Sequence, residues 1–291
     1  METTDEFNAA IEEWDNVQEI IPTFSKNSEN SDPDFAPVKE TPLVPVAHLI
    51  DDFRNIIDLE NEVPENDNDR APILNQASAL FKSWLRCSCS FSLSPVLEEE
   101  KKLVFAVSKR PFDDENPLHF QVLLTLYKLF TGSKIDCPRY GSHWEQIGFQ
   151  GTDPATDLRG VGCLGILHPL YLVMTPELLP LAKDIYKLSL SENQNFPLMV
   201  LSINVTRIAL HALRDGILDR QVEQENSIWS ALNFFYVATL FHIYKIWKNE
   251  YKTIKDSGYV LKGNLIVAQN FLKLMIILML LQMLKNSVGR M

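Results

Sequence analysis

No Asn-Gly or Asp-Gly pair separates two alternating apolar and polar runs in this 291-residue sequence, so the usual signal of a β-hairpin is missing. There is no H-E-x-x-H, no G-x-S-x-G and no lysine closing a glycine-rich phosphate loop, which removes zincins, α/β-hydrolases and P-loop enzymes. The four cysteines, Cys87, Cys89, Cys137 and Cys163, form no C-x-x-C and no zinc spacing with the six histidines. Reduced thiols in a cytosolic protein are the expectation, with Cys137 and Cys163 as small packing residues. Basic residues are outnumbered, 27 to 38, so no nucleic-acid surface is implied. The first thirty residues have no apolar run flanked by positive charge, and no secretory signal is expected.

The formal net charge of −11 is unevenly placed. Residues 1–70 contain 19 acidic and 4 basic side chains, and the remainder is close to neutral. Stretches such as 25–34 and 61–69 lack the apolar surface needed to order themselves. The expected organisation is a largely disordered acidic tail over 1–70, with short helical pieces near 7–21 and 46–59. A single all-α domain over 71–291 follows, ending in a hydrophobic helix. Apolar residues recur at three and four positions from Ile73 to Leu85. Pro95 and nearby acids open a helix over 95–108, and Asn116-Pro117 opens one that ends before Gly132. A polar connection follows over 133–156, with a short turn around Trp144. Further helices are predicted from Thr175-Pro176-Glu177 to about Leu190, over 196–214, over 228–251 and over 260–285.

The last of these carries an unbroken apolar run at 274–281, but reaching spanning length means admitting Gln269, Asn270 and Lys273. A core helix is the preferred reading of 265–284, with a membrane anchor as its competitor. His168 and His211 lie on apolar helices and read as core histidines. Asn204-Val205-Thr206 reads as a chance match to a glycosylation acceptor.

Residues 159–165, RGVGCLG, contain a literal G-x-G-x-x-G. A dinucleotide fingerprint needs a strand before its first glycine. The preceding GFQGTDPATDL is polar and turn-rich, so the fingerprint fails on context. The glycines are better explained by a helix capped by Thr156 or Asp157, with Gly162 and Gly165 on one closely packed face and a kink near Gly165 imposed by Pro169. Arg159 would stand in its first turn. An ion pair with Asp153 or Asp157 and donation to a partner's anionic group are both open to it.

The run HWEQIGFQG at 143–151, followed by DPATDLRG at 153–160 and by Gly162, resembles the signature of the ELMO domain family. The similarity runs from about Leu118 to Leu261 and takes in TGSKIDC, LYLVM and DSGYVLK. The resemblance implies an all-α fold and, for the branch outside the engulfment adaptors, GTPase-activating function toward Arf-family and Arf-like small GTPases. It assigns the catalytic arginine of the D-x-R-G motif to Arg159, with Trp144, Gln150, Asp153 and Asp157 as candidates to support it or touch the partner. Such an arginine, supplied in trans to a GTP-bound GTPase, is worth roughly 10³–10⁵ in rate. The chain itself would be a regulator with no cofactor. The competing implication is a non-catalytic adaptor or scaffold in GTPase and actin-cytoskeleton signalling. Expected localisation is cytoplasmic, with cytoskeletal or membrane association left open. Two departures from the family pattern are Pro169, where an apolar helix former is usual, and the hydrophobic ending after Leu261.

Overall fold

The computed structural model describes residues 93–257, together with Leu43. The acidic tail, the helix expected at 71–85, Cys87, Cys89 and the apolar run at 265–284 lie outside the described residues.

Among the described residues the fold is helical, with no strand. Helix α1 spans Pro95–Lys109, its first turn closed by Ser94, whose side chain accepts from the Leu97 amide. Helix α2 spans Pro117–Thr131 between the two signals predicted for it. Asn116 Oδ1 accepts from the Leu118 amide at 3.0 Å, and Gly132 ends the helix in the left-handed region at φ 76°. After the connection come α3 (Leu164–Met174), α4 (Leu179–Ser189), α5 (Leu198–Arg214), α6 (Asp219–Glu225) and α7 (Ile228–Asn249).

Helix α3 is the centre of the packing. Nine of its eleven residues are buried, and α1, α2, α4, α5 and α7 all pack on it. The helix continues past Pro169, and the chain turns at residues 175–178, where α3 and α4 meet at 115°. In the turn between them the Thr175 carbonyl accepts from the Leu178 and Leu179 amides. That turn also moves the start of α4 to Leu179, beyond Thr175-Pro176-Glu177. Helix α6 went unforeseen because only Gln221 and Val222 of its seven residues are buried, too few to write a helical period.

Two polar devices hold the bundle in register. Glu100 of α1 reaches the start of α7: its carboxylate accepts from the Ser227 hydroxyl at 2.8 Å and from the Ile228 and Trp229 amides at 3.0 and 3.2 Å. A carboxylate at a helix N-terminus satisfies orphan amides and complements the dipole. Between α3, α5 and α7, His168 stacks on Tyr236 with centroids 4.6 Å apart. Its Nδ1 lies 2.9 Å from Thr206 Oγ1, whose own proton goes to the Ser202 carbonyl, so Nδ1 is the donor. Ser202 Oγ and Tyr236 OH are 2.7 Å apart. Burial lowers the His168 pKa to about 3, which makes it a neutral core histidine. The glycosylation match lies inside α5, with Thr206 fully buried and the half-buried Asn204 donating its Nδ2 to the Val200 carbonyl at 3.0 Å.

No single described helix is long and apolar enough to cross a membrane.

Candidate functional site

The connection between α2 and α3 packs around a buried aromatic knot. A 3₁₀ turn, η1 (Ser142–Ile147), places Trp144 in full burial, with Tyr127 and Phe149 against it in T-shaped contacts at 5.7 and 6.2 Å. Trp144 Nε1 donates to the Arg139 carbonyl at 2.9 Å, which satisfies the indole inside the core. The loop closes where the Gly141 amide donates to the Thr152 carbonyl at 2.9 Å.

Gly148 fastens this knot to α5. It sits at φ 89°, and a Cβ there would lie 2.1 Å from the Leu198 nitrogen. Its carbonyl accepts from the Val200 amide at 3.1 Å, serving the first turn of a helix that has no side-chain cap of its own. Only glycine fits both the backbone conformation and the space.

A second 3₁₀ turn, η2 (Pro154–Leu158), precedes Arg159. Asp153 caps it, accepting from the Ala155 amide at 2.9 Å, while Asp157 Oδ2 accepts from the Gln150 amide at 2.6 Å. Neither Thr156 nor Asp157 caps α3, which starts only at Leu164. The physical reason is the backbone between: Gly160 at φ 81° and Gly162 at φ 50° lie in the left-handed region, which a right-handed helix cannot pass through. Arg159 therefore follows the end of η2 with an extended backbone (φ −57°, ψ 131°) and is not in the first turn of α3.

The close approach expected of the glycines exists, but outside the helix. A Cβ at Gly162 would lie 2.4 Å from the Arg110 carbonyl oxygen, at the end of α1, and the Cys163 amide donates to that same oxygen at 2.9 Å. Gly165, within α3, faces Leu158 and Val161 side chains instead.

Arg159 itself is exposed, and its guanidinium has no hydrogen bond or ion pair among the described residues. Asp153, one of the two carboxylates considered for it, is engaged by Arg139 Nη1 at 2.8 Å. The other, Asp157, faces the Gln150 amide. The Arg159 carbonyl is held: Arg207 Nη2 of α5 donates to it at 3.2 Å. The structure thus places Trp144 in the core, Asp153 and Asp157 in the scaffold of the connection, Gln150 half-buried beside Asp157, and Arg159 in solvent. Reading the sequence missed Arg139 and Arg207, since nothing local says that residue 207 reaches residue 159.

One cysteine–histidine pair does come together: Cys163 Sγ lies 3.8 Å from His119 Nε2. It is not a nucleophile and base. Cys163 is buried, with its thiol pushed up to about 12 by that burial and directed at the Pro111 carbonyl, and His119 Nδ1 accepts from the Asp113 amide. Burial also raises Cys137 to about 11. No group of three His, Cys, Asp or Glu able to hold a metal occurs among the described residues.

A family model described as ELMO/CED-12 family matches residues 102–261. The chain belongs to the ELMO/CED-12 family. The match begins ahead of Leu118, taking in most of α1, whose helix carries no distinctive motif of its own. ELMO domain-containing protein 3 from Homo sapiens is 47% identical over 166 residues, which are 57% of this chain and 44% of that protein. ELMO domain-containing protein 2 from Homo sapiens is 34% identical over 117 residues, 40% of this chain and 39% of the relative. ELMO domain-containing protein 1 from Mus musculus is 29% identical over 125 residues, 38% of each. The chain therefore matches less than half the length of these relatives. No solved structure matches it.

Proposed function

We propose that the chain is a GTPase-activating protein for an Arf-like or Arf-family small GTPase, donating Arg159 in trans to the GTP-hydrolysis transition state. The observation that carries the reading is the contrast within one residue. The Arg159 carbonyl is held by Arg207 of α5, and the loop after it is tied to the end of α1 through the Cys163 amide, while the Arg159 guanidinium stands exposed without a partner among the described residues. A structural arginine is ordinarily paired; this one is presented. A GTPase holds its own Mg²⁺ and orients its water, and what it lacks is a cation over the charge developing on the phosphoryl oxygens. Guanidinium fits that task because it is planar, permanently charged and donates several hydrogen bonds at once. The ELMO signature at 143–162 supports the same assignment. In this reading Trp144, Asp153 and Asp157 keep the connection in shape, and Gln150 borders the partner. The chain needs no cofactor and acts as a regulator in the cytoplasm, with cytoskeletal or membrane association set by its partner.

Single-turnover GTP hydrolysis by a panel of Arf-like GTPases tests the proposal, using wild type, Arg159→Ala and Arg159→Lys. Stimulation by wild type that disappears in Arg159→Ala supports it. Equal stimulation by Arg159→Ala removes the arginine assignment. Binding of the GTP-loaded partner without any stimulation leaves the adaptor reading.

A further inference from the structure

The connection that ends at Arg159 is clamped to α5 at two places. The first is the Gly148 carbonyl on the Val200 amide. The second is a relay of side chains along the helix. Asn204 Nδ2 donates to the Val200 carbonyl at 3.0 Å, which fixes the amide's orientation. Its Oδ1 accepts from Arg207 Nη1 at 3.1 Å, and Arg207 Nη2 then donates to the Arg159 carbonyl at 3.2 Å. Both arms of one guanidinium are used, one toward its own helix and one across to the loop. At Gly160 a Cβ would meet Arg207 Nη2 only at ordinary contact distance, 3.5 Å, so it is the φ of 81° that favours glycine beside this contact.

We propose that Arg207 is a positioning residue for Arg159, fixing the peptide from which the guanidinium extends. The inference rests on the functional reading of Arg159 given above. A fork is required because the loop carbonyl and the Asn204 oxygen must be met together, and a single ammonium on a flexible stem is not pre-organised to do that. Positioning of this kind governs rate steeply, since a displacement of about 1 Å at a reacting group costs up to roughly a hundredfold. The Arg207 contact is at the surface, so its loss leaves the packed core of α3, α5 and α7 in place.

The test compares Arg207→Gln, Arg207→Lys, Arg159→Ala and the Arg159→Ala/Arg207→Gln pair in the full chain. Single-turnover hydrolysis is measured with a GTP-loaded Arf-like GTPase over a range of chain concentrations. Arg207→Gln is expected to lower the rate at saturation about tenfold or more, with the half-saturating concentration shifted less than about threefold. Arg207→Lys is expected to fall nearly as far, because charge without the fork does not hold the peptide. In the Arg159→Ala background the Arg207 change should cost nothing further. An equal loss in that background overturns the proposal, as does an effect confined to the half-saturating concentration. Amide exchange provides a readout free of the GTPase. The Val161 and Gly162 amides donate to the Leu158 carbonyl at 3.2 and 2.8 Å, and both should exchange faster in Arg207→Gln at an unchanged unfolding midpoint. Unaltered exchange overturns the anchor whatever the kinetics show. Lack of stimulation by wild type overturns the functional reading, and with it any catalytic meaning of Arg207, while the exchange result still reports the anchor separately.

Discussion

Two arginines stand near opposite ends of the connection between α2 and α3, in opposite surroundings. Arg139 is consumed by structure: Nε meets Asp114 at 2.5 Å, Nη1 meets Asp153 at 2.8 Å, and its guanidinium lies 4.5 Å from the centroids of both Phe112 and Tyr140. Arg159, twenty positions on, has its carbonyl held and its charge unclaimed among the described residues. The same side chain thus serves as a rivet at one end and is presented at the other. The carboxylate that would have tied down Arg159 is spent on Arg139. Surroundings, rather than residue type, separate a scaffold arginine from a candidate catalytic one.

The contrast can be broken by crossing the two positions. Arg159→Ala should reduce stimulated hydrolysis by about 10³-fold or more. Its unfolding free energy from urea denaturation should barely move, within about 0.5 kcal/mol, because an exposed side chain without partners contributes little to stability. A large loss of stability would show that Arg159 is a rivet after all. Next in size is Gly148→Ala, where a new Cβ would meet the α5 backbone at a positive φ. Urea denaturation should show a loss of about 3 kcal/mol or more, at the upper end for single substitutions.

Arg139→Ala should cost about 2 kcal/mol in the same assay, since two carboxylates and two ring faces lose their partner at once. Its folded molecules should keep stimulation within a few-fold of wild type, the reverse of the Arg159 pattern. The smallest effect separates the core from the exposed site by pH. The folded pKa of His168, about 3, lies below the ordinary histidine value. Protonation therefore favours the unfolded chain; the stability contribution is complete above about pH 6.5 and is lost progressively as pH falls toward 3. Between pH 7 and 5.5 this amounts to about 1 kcal/mol. A shallower pH dependence in His168→Asn would confirm the source, and an unchanged slope would reject it.

Local chemistry made much of the fold legible. Asn116-Pro117 and Gly132 bound α2 because cap, N1 and left-handed stop are properties of single residues at fixed offsets. The glycines after Arg159 were harder. Their composition announces close packing, but whether a glycine takes a helical or left-handed φ depends on what it packs against, here the end of α1. Whether Asp153 or Asp157 pairs with Arg159 turned on their contacts with Arg139 and the Gln150 amide, fourteen and seven positions away. Arg207 was out of reach of any local rule, since its contact with residue 159 spans 48 positions and exists only once α5 has packed beside the connection.

The proposed role of Arg159 lies in the transition state and not merely in docking. Binding of wild type and Arg159→Ala to one Arf-like GTPase should therefore be compared in two states, loaded with a non-hydrolysable GTP analogue and with GDP–aluminium fluoride. Wild type should bind the fluoride-loaded state far more tightly than the analogue-loaded state, and Arg159→Ala should lose this preference while binding the analogue-loaded state nearly as well. An undiminished preference in Arg159→Ala would contradict that role.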